Sequence, residues 1–142
     1  MANNNSQTLE LITDTLHKLR CQTEIIEDGC LATNYQGERF AICYADDCAV
    51  IDICDVGWYR QPNDDIEAVA NIKRAINEVN IYSMAKLFYT NDEEIIVYTR
   101  RHAIFIKEIP QLDQYLASLF NSIFNANRNF ILELGPGKRK AL

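Results

Sequence analysis

Arg39-Phe40-Ala41-Ile42-Cys43-Tyr44 and the longer run from Cys48 to Tyr59, parted by Asp46-Asp47, decide the fold. In the second run Ile51 and Ile53 fall on one side of a two-residue alternation, with Val50, Cys54 and Val56 on the other. That period belongs to a strand with two distinct faces. Just upstream, Leu31, Thr33 and Tyr35 alternate with Ala32 and Asn34, and Thr23-Glu24-Ile25-Ile26 precedes them. Asp28-Gly29 and Gln36-Gly37 are turn dipeptides. Four strands joined by short turns make an antiparallel meander.

Helical periods flank the meander. Leu9, Ile12, Leu16 and Leu19 form one apolar stripe, which predicts a helix over roughly 7–20. After Gln61-Pro62, Asn63 or Asp64 can cap a second helix, with Glu67 completing a capping box. Its stripe is Ile66, Val69, Ile72, Ile76 and Val79. Two strands follow, Ile81 to Thr90 and Glu94 to Ile106, turning at Asn91-Asp92. Pro110 suits the first turn of a third helix, whose stripe is Leu112, Tyr115, Leu116, Leu119, Phe120, Ile123 and Phe124. A polar break at Asn125 to Asn129 separates it from Phe130 to Leu134, and Gly135-Pro136-Gly137 ends the ordered chain. The order α-β-β-β-β-α-β-β-α predicts an α+β fold, an antiparallel sheet with helices packed on one face.

A chain of 142 residues suits a single domain over 1–142, with 1–6 and 136–142 disordered. Hydrophobic residues at 48% and charged residues at 24% exclude a disordered or collagenous chain. Of the 14 cations, Lys138, Arg139 and Lys140 lie in the tail; the 11 that remain face 20 acids, leaving residues 1–137 at −9. Such a body repels phosphate backbones and anionic lipid, so nucleic acid and membrane are not expected partners. The first residues lack the cations and apolar run of a secretory signal. Five Cys is an odd number in a chain that can fold unaided. They read as reduced thiols and place the protein in the cytoplasm.

The sequence resembles the YbjN-like proteins, which are similar in fold to type III secretion chaperones. Three patterns carry the resemblance across roughly residues 8–134: the first helix running into a strand and the Asp28-Gly29 turn; a second helix ending Ala75-Ile76-Asn77-Glu78-Val79-Asn80 with Lys86 in the strand Met84-Ala85-Lys86-Leu87-Phe88; and Glu94-Ile95-Ile96-Val97-Tyr98 leading to a long terminal helix. The YbjN-like family bears the label of a sensory-transduction regulator. The chaperone relatives are homodimers that bind extended client segments. The resemblance therefore implies a bacterial protein with this fold and a binding role, and it brings no catalytic residue or cofactor.

The chemistry-bearing residues point the same way. His17 and Cys21, with Cys30 or His102, lack the paired close spacing of structural zinc; Cys43 and Cys48 sit at its edge without a second pair. Cys54 lies between Asp52 and Asp55, whose charges disfavour the thiolate that His102 could otherwise activate. Asp46-Asp47, Asp64-Asp65 and Asp92-Glu93-Glu94 occupy turns or a helix start, where carboxylates bond locally. Five scattered Gly make no phosphate loop. Arg100 and His102, two apart on a strand, could hold an anion, though charge balance across the sheet explains them more simply.

Surplus apolar surface is the stronger feature. Trp58, Tyr115, Phe120 and Phe124 are the candidate partner-facing residues. The expectation is a non-enzymatic protein-binding module, an adaptor or chaperone-like homodimer with a protein client, no metal and no cofactor. The alternative is a small-molecule or anion sensor with a pocket between the last helix and the sheet.

Overall fold

Glycine and left-handed backbone shape the meander. In the computed structural model, which describes residues 3–45 and 48–135, Gln36 and Gly37 both have positive φ, 50° and 83°. This is the paired left-handed signature of a type I′ hairpin, joining β2 (Cys30–Tyr35) to β3 (Glu38–Cys43). Gly29 (φ 84°) turns β1 (Thr23–Glu27) into β2. With β4 (Val50–Pro62), β5 (Lys86–Asn91) and β6 (Glu94–Ile104), these form a six-stranded sheet in the order β1-β2-β3-β4-β6-β5. Three helices complete the α+β fold: α1 (Asn3–Lys18), α2 (Ile66–Tyr82) and α3 (Leu112–Leu134). Asp46-Asp47, Pro136 and the basic tail lie outside the described residues.

The chain gathers into two compact units. The first runs up to Cys54 and takes in His102–Asn121; the second comprises Asp55–Arg101 and the chain from Ser122 onward.

In the first unit, α1 begins at Asn3 and stops at Lys18, earlier at both ends than its stripe suggests. The stop is a Schellman motif without glycine. Arg20 takes φ 63°, Arg20 N–H donates to His17 O and Cys21 N–H to Leu16 O, both at 2.9 Å. The core of this unit holds Ile12, Leu16, Phe40, Ile42 and Phe120. The β2–β3 register sets Cys30 directly opposite Cys43, and the two form a disulfide. This corrects the expectation of five reduced thiols: the pairing comes from strand register, which residue counting does not reveal.

In the second unit, Asp65, not Asn63 or Asp64, is the N-cap of α2, its carboxylate accepting Glu67 N–H and Ala68 N–H. Asn63 instead donates to Asn91 Oδ1 and to the Asp92 carbonyl. The shift turns Ile66 outward, 83% exposed, while Ala68, Ile72, Ala75, Ile76 and Val79 are buried. Helix α2 continues through Ile81 and Tyr82, so β5 starts only at Lys86. Helix α3 runs unbroken through Asn125–Asn129, because Ala126 and Asn127 continue its buried stripe from Ile123 to Phe130.

Candidate functional site

The motif that carries the family resemblance fastens α2 to β5. The Asn80 carboxamide accepts Leu87 N–H at 2.8 Å and donates to Leu87 O at 2.9 Å. Lys86 Nζ donates to Asn80 O at 2.7 Å and Ser83 O at 2.6 Å, capping carbonyls at the C-terminal end of α2, where a cation is favoured. Asn80 and Lys86 are thus engaged with main chain.

A second polar cluster lies inside the same unit. Trp58 Nε1 donates to Thr99 Oγ1 at 2.8 Å, Thr99 Oγ1 donates to Asn127 Oδ1, and Asn127 Nδ2 donates to Asp55 Oδ2 at 3.0 Å. Asp55 is 1% exposed and Thr99 has no exposed surface. Asn127 bridges the two sheet residues and so ties α3 to β4 and β6. A buried carboxylate needs such a donor to offset its lost hydration.

The candidate partner residues separate on burial. Trp58 is half-buried in that network and packs edge-on against Phe130, as does Tyr59. Gly57 has φ 61° and stands before these two aromatics. A Cβ there would meet Arg60 Nη2 at 3.3 Å and Ile96 Cγ2 at 3.5 Å. Phe120 has no exposed surface; it stacks on Tyr35 at 4.6 Å between centroids and tilts against Phe40 at 4.7 Å. It is core, which corrects its place among partner-facing residues. Tyr115 is half-buried, its hydroxyl donating to Ile104 O at 2.7 Å and its ring stacked on Phe105. Phe124 is half-buried on α3.

The candidate anion residues fall in different units. The Arg100 guanidinium lies over the Phe88 ring, 5.5 Å from its centroid. His102 Nε2 lies 3.7 Å from Asp52 Oδ1. Arg100 and His102 thus each have a local companion, and no single site holds both. Two open grooves are lined by α1 with the segment after β6, and by Pro62, Asp92, Glu93, Glu94 and Ile96; neither is lined by α3. Burial pushes the Cys21 thiol above its ordinary pKa, with a Thr33 hydrogen bond opposing, so the thiolate is disfavoured there. Cys54 is half-buried, and Cys48 is an exposed thiol. No group of three or more His, Cys, Asp or Glu capable of holding a metal occurs among the described residues. No helix among them is long and apolar enough to cross a membrane.

The feature suited to binding is a sheet face. In the β5–β6 ladder Lys86, Phe88 and Thr90 stand opposite Arg100, Tyr98 and Ile96, and opposed residues share a face. The other face is the covered one: Leu87, Ile95, Val97 and Thr99 are buried, Tyr89 meets Lys73 of α2, and Thr99 meets Asn127 of α3. The first face is exposed along β5, with Phe88 at 44%, and half-buried at Ile96, Tyr98 and Arg100 of β6; Val56, opposite in alternation to buried Asp55, is 57% exposed. The α3 stripe is legible in the sequence because it is strongly periodic. No single stretch of sequence contains the open face, because its residues come from different strands and the β5–β6 register sets Phe88 beside Tyr98.

No family model and no curated protein matches this sequence. By structure the chain is similar to two solved proteins of the α+β class described above. YbjN from E. coli, a candidate transcription regulator, matches at a TM-score of 0.58 and 12% identity, over 89% of this chain and 87% of that one. An uncharacterized protein from Methanothermobacter thermautotrophicus matches at a TM-score of 0.58 and 12% identity, over 88% and 94%. The chain shares the fold of YbjN.

Proposed function

We propose that this chain is a non-enzymatic protein-binding module, an adaptor or chaperone-like homodimer acting in the cytoplasm. The observation that carries the reading is the exposed face of β5 and β6, apolar at Phe88 on a strongly acidic chain. Contiguous exposed apolar surface on a soluble protein marks a place for a partner. Polar side chains that elsewhere perform chemistry are committed to structure here: Asn80 and Lys86 to the α2–β5 junction, Asp55, Thr99 and Asn127 to the core. In a reducing cytoplasm Cys30 and Cys43 become a facing dithiol, and the β2–β3 ladder holds their register without the bond.

Paired affinity purifications from the native cell test the binding role. The wild-type chain is expected to bring down a defined protein that Val56→Asp, folded by circular dichroism, does not. Identical recoveries with both baits contradict the reading. The absence of enzymatic activity is tested by screening ester, phosphate and peptide substrates; turnover lost in Cys54→Ala or His102→Ala would overturn it.

A further inference from the structure

The open face of the second unit carries an ordered charge pattern. At one end of the β5–β6 hairpin Lys86 and Arg100 stand opposite one another in the ladder. At the other end the chain turns through Asp92 and Glu93, followed by Glu94, which pairs with Arg60 at 3.0 Å. Between the ends lie Phe88, Tyr98 and Ile96. The strip is cationic, then apolar, then acidic, over about 20 Å at the rise of an antiparallel strand.

We infer that a second copy of this chain packs face to face on this strip, about a two-fold axis that runs across the strands, parallel to the sheet and midway between the two copies, over Phe88 and Tyr98. The inference rests on the homodimer reading above and assigns its interface. A two-fold contact must be self-complementary, because each residue meets the residues its own counterpart meets. An axis across the strands reverses the partner's hairpin. It sets the Lys86–Arg100 end of one copy over the Asp92–Glu93 turn of the other, twice, while the apolar centres cover each other. An axis along the strands would set cation on cation and acid on acid.

The net charge explains why the pattern matters. Two copies at −6 each repel at most approaches, so a stable contact needs both apolar burial and local charge reversal. Phe88, 44% exposed, supplies the apolar centre, with Tyr98 opposite it in the ladder. Facing sheets pack at about 10 Å, close enough for the end charges to pair across the gap.

Charge exchange tests the inference on the full chain by sedimentation equilibrium, with folding checked by circular dichroism. Arg100→Glu and Glu93→Lys are each expected to weaken the dimer about tenfold or more, since each change acts twice. The combined Arg100→Glu/Glu93→Lys variant is expected to recover most of the lost affinity, which mere destabilisation of the fold would not allow. Phe88→Asp is expected to give a folded monomer. A wild-type dimer that all these variants leave intact overturns the assigned face and leaves the homodimer reading standing. A wild-type monomer at high micromolar concentration overturns both. Two weakened single variants without recovery in the double also contradict the pairing.

Discussion

The side-chain amide of Asn80 occupies, at Leu87, the place that a neighbouring strand would take on the outer edge of β5. It meets both the N–H and the carbonyl of Leu87, at 2.8 and 2.9 Å. Strand β5 ends the sheet, and an edge strand exposes main-chain groups that invite unwanted pairing. Asn80 closes part of that edge from the helix that precedes it. Lys86 answers from the strand by capping the carbonyls of Asn80 and Ser83. The result shields part of the β5 edge from edge-to-edge pairing.

Asn80→Ala leaves Leu87 N–H and O without this partner. The expected cost is about 1–3 kcal/mol in urea unfolding, the range for a broken buried pairing. Hydrogen exchange at the Leu87 amide should accelerate by more than exchange at buried Val97. Unchanged stability together with unchanged Leu87 exchange would show that the junction is incidental.

Asn127→Ala removes one donor to Asp55 and the acceptor for Thr99. Losing one buried hydrogen bond at each of two groups is costly, so the chain should lose about 2 kcal/mol or more. Thermal or urea denaturation measures this directly. A loss below about 1 kcal/mol, the level of an ordinary surface change, would mean that water replaces Asn127 without penalty.

Much of the strand framework was legible because both of its signals are local: alternation, as in Ile51 and Ile53, and left-handed turns, as at Gly29 and Gly37. The misread elements are those where a distant residue decides. Ile81 and Tyr82 look like strand, being β-branched and aromatic, but belong to α2, whose end Asn80 and Lys86 fasten to β5. Asn125–Asn129 looks like a break until Asn127 is seen to serve Asp55 and Thr99. Cys30 and Cys43 look unrelated until the hairpin register opposes them. The open face was the least legible part, since no single segment contains it.

The disulfide makes a countable prediction. Alkylation of the unfolded, oxidised protein should label three of the five cysteines, Cys21, Cys48 and Cys54, and reduction should expose all five. Closing this short loop contributes about 3 kcal/mol by the chain-entropy estimate, so reduction should lower the urea midpoint accordingly. Five labelled thiols in protein purified under air would contradict the pairing.

Alkaline titration probes the core at Tyr59. Burial pushes its phenol above the ordinary pKa of 10.0, because the phenolate would lose hydration. A raised folded-state pKa means that stability is intact below about pH 10 and falls as pH rises from there through the folded value. Tyr59→Phe should flatten that fall, and phenolate absorbance should show one tyrosine fewer in the late-titrating fraction. An unchanged alkaline profile would mean that Tyr59 is hydrated in solution.

The proposed homodimer and its interface both require the chain to meet a copy of itself, and the mass of the wild-type protein in solution tests that most directly. Light scattering from low to high micromolar concentration should give twice the 16.3 kDa chain mass, falling toward 16.3 kDa on dilution or with Phe88→Asp. A wild-type mass of 16.3 kDa across the whole range would contradict it.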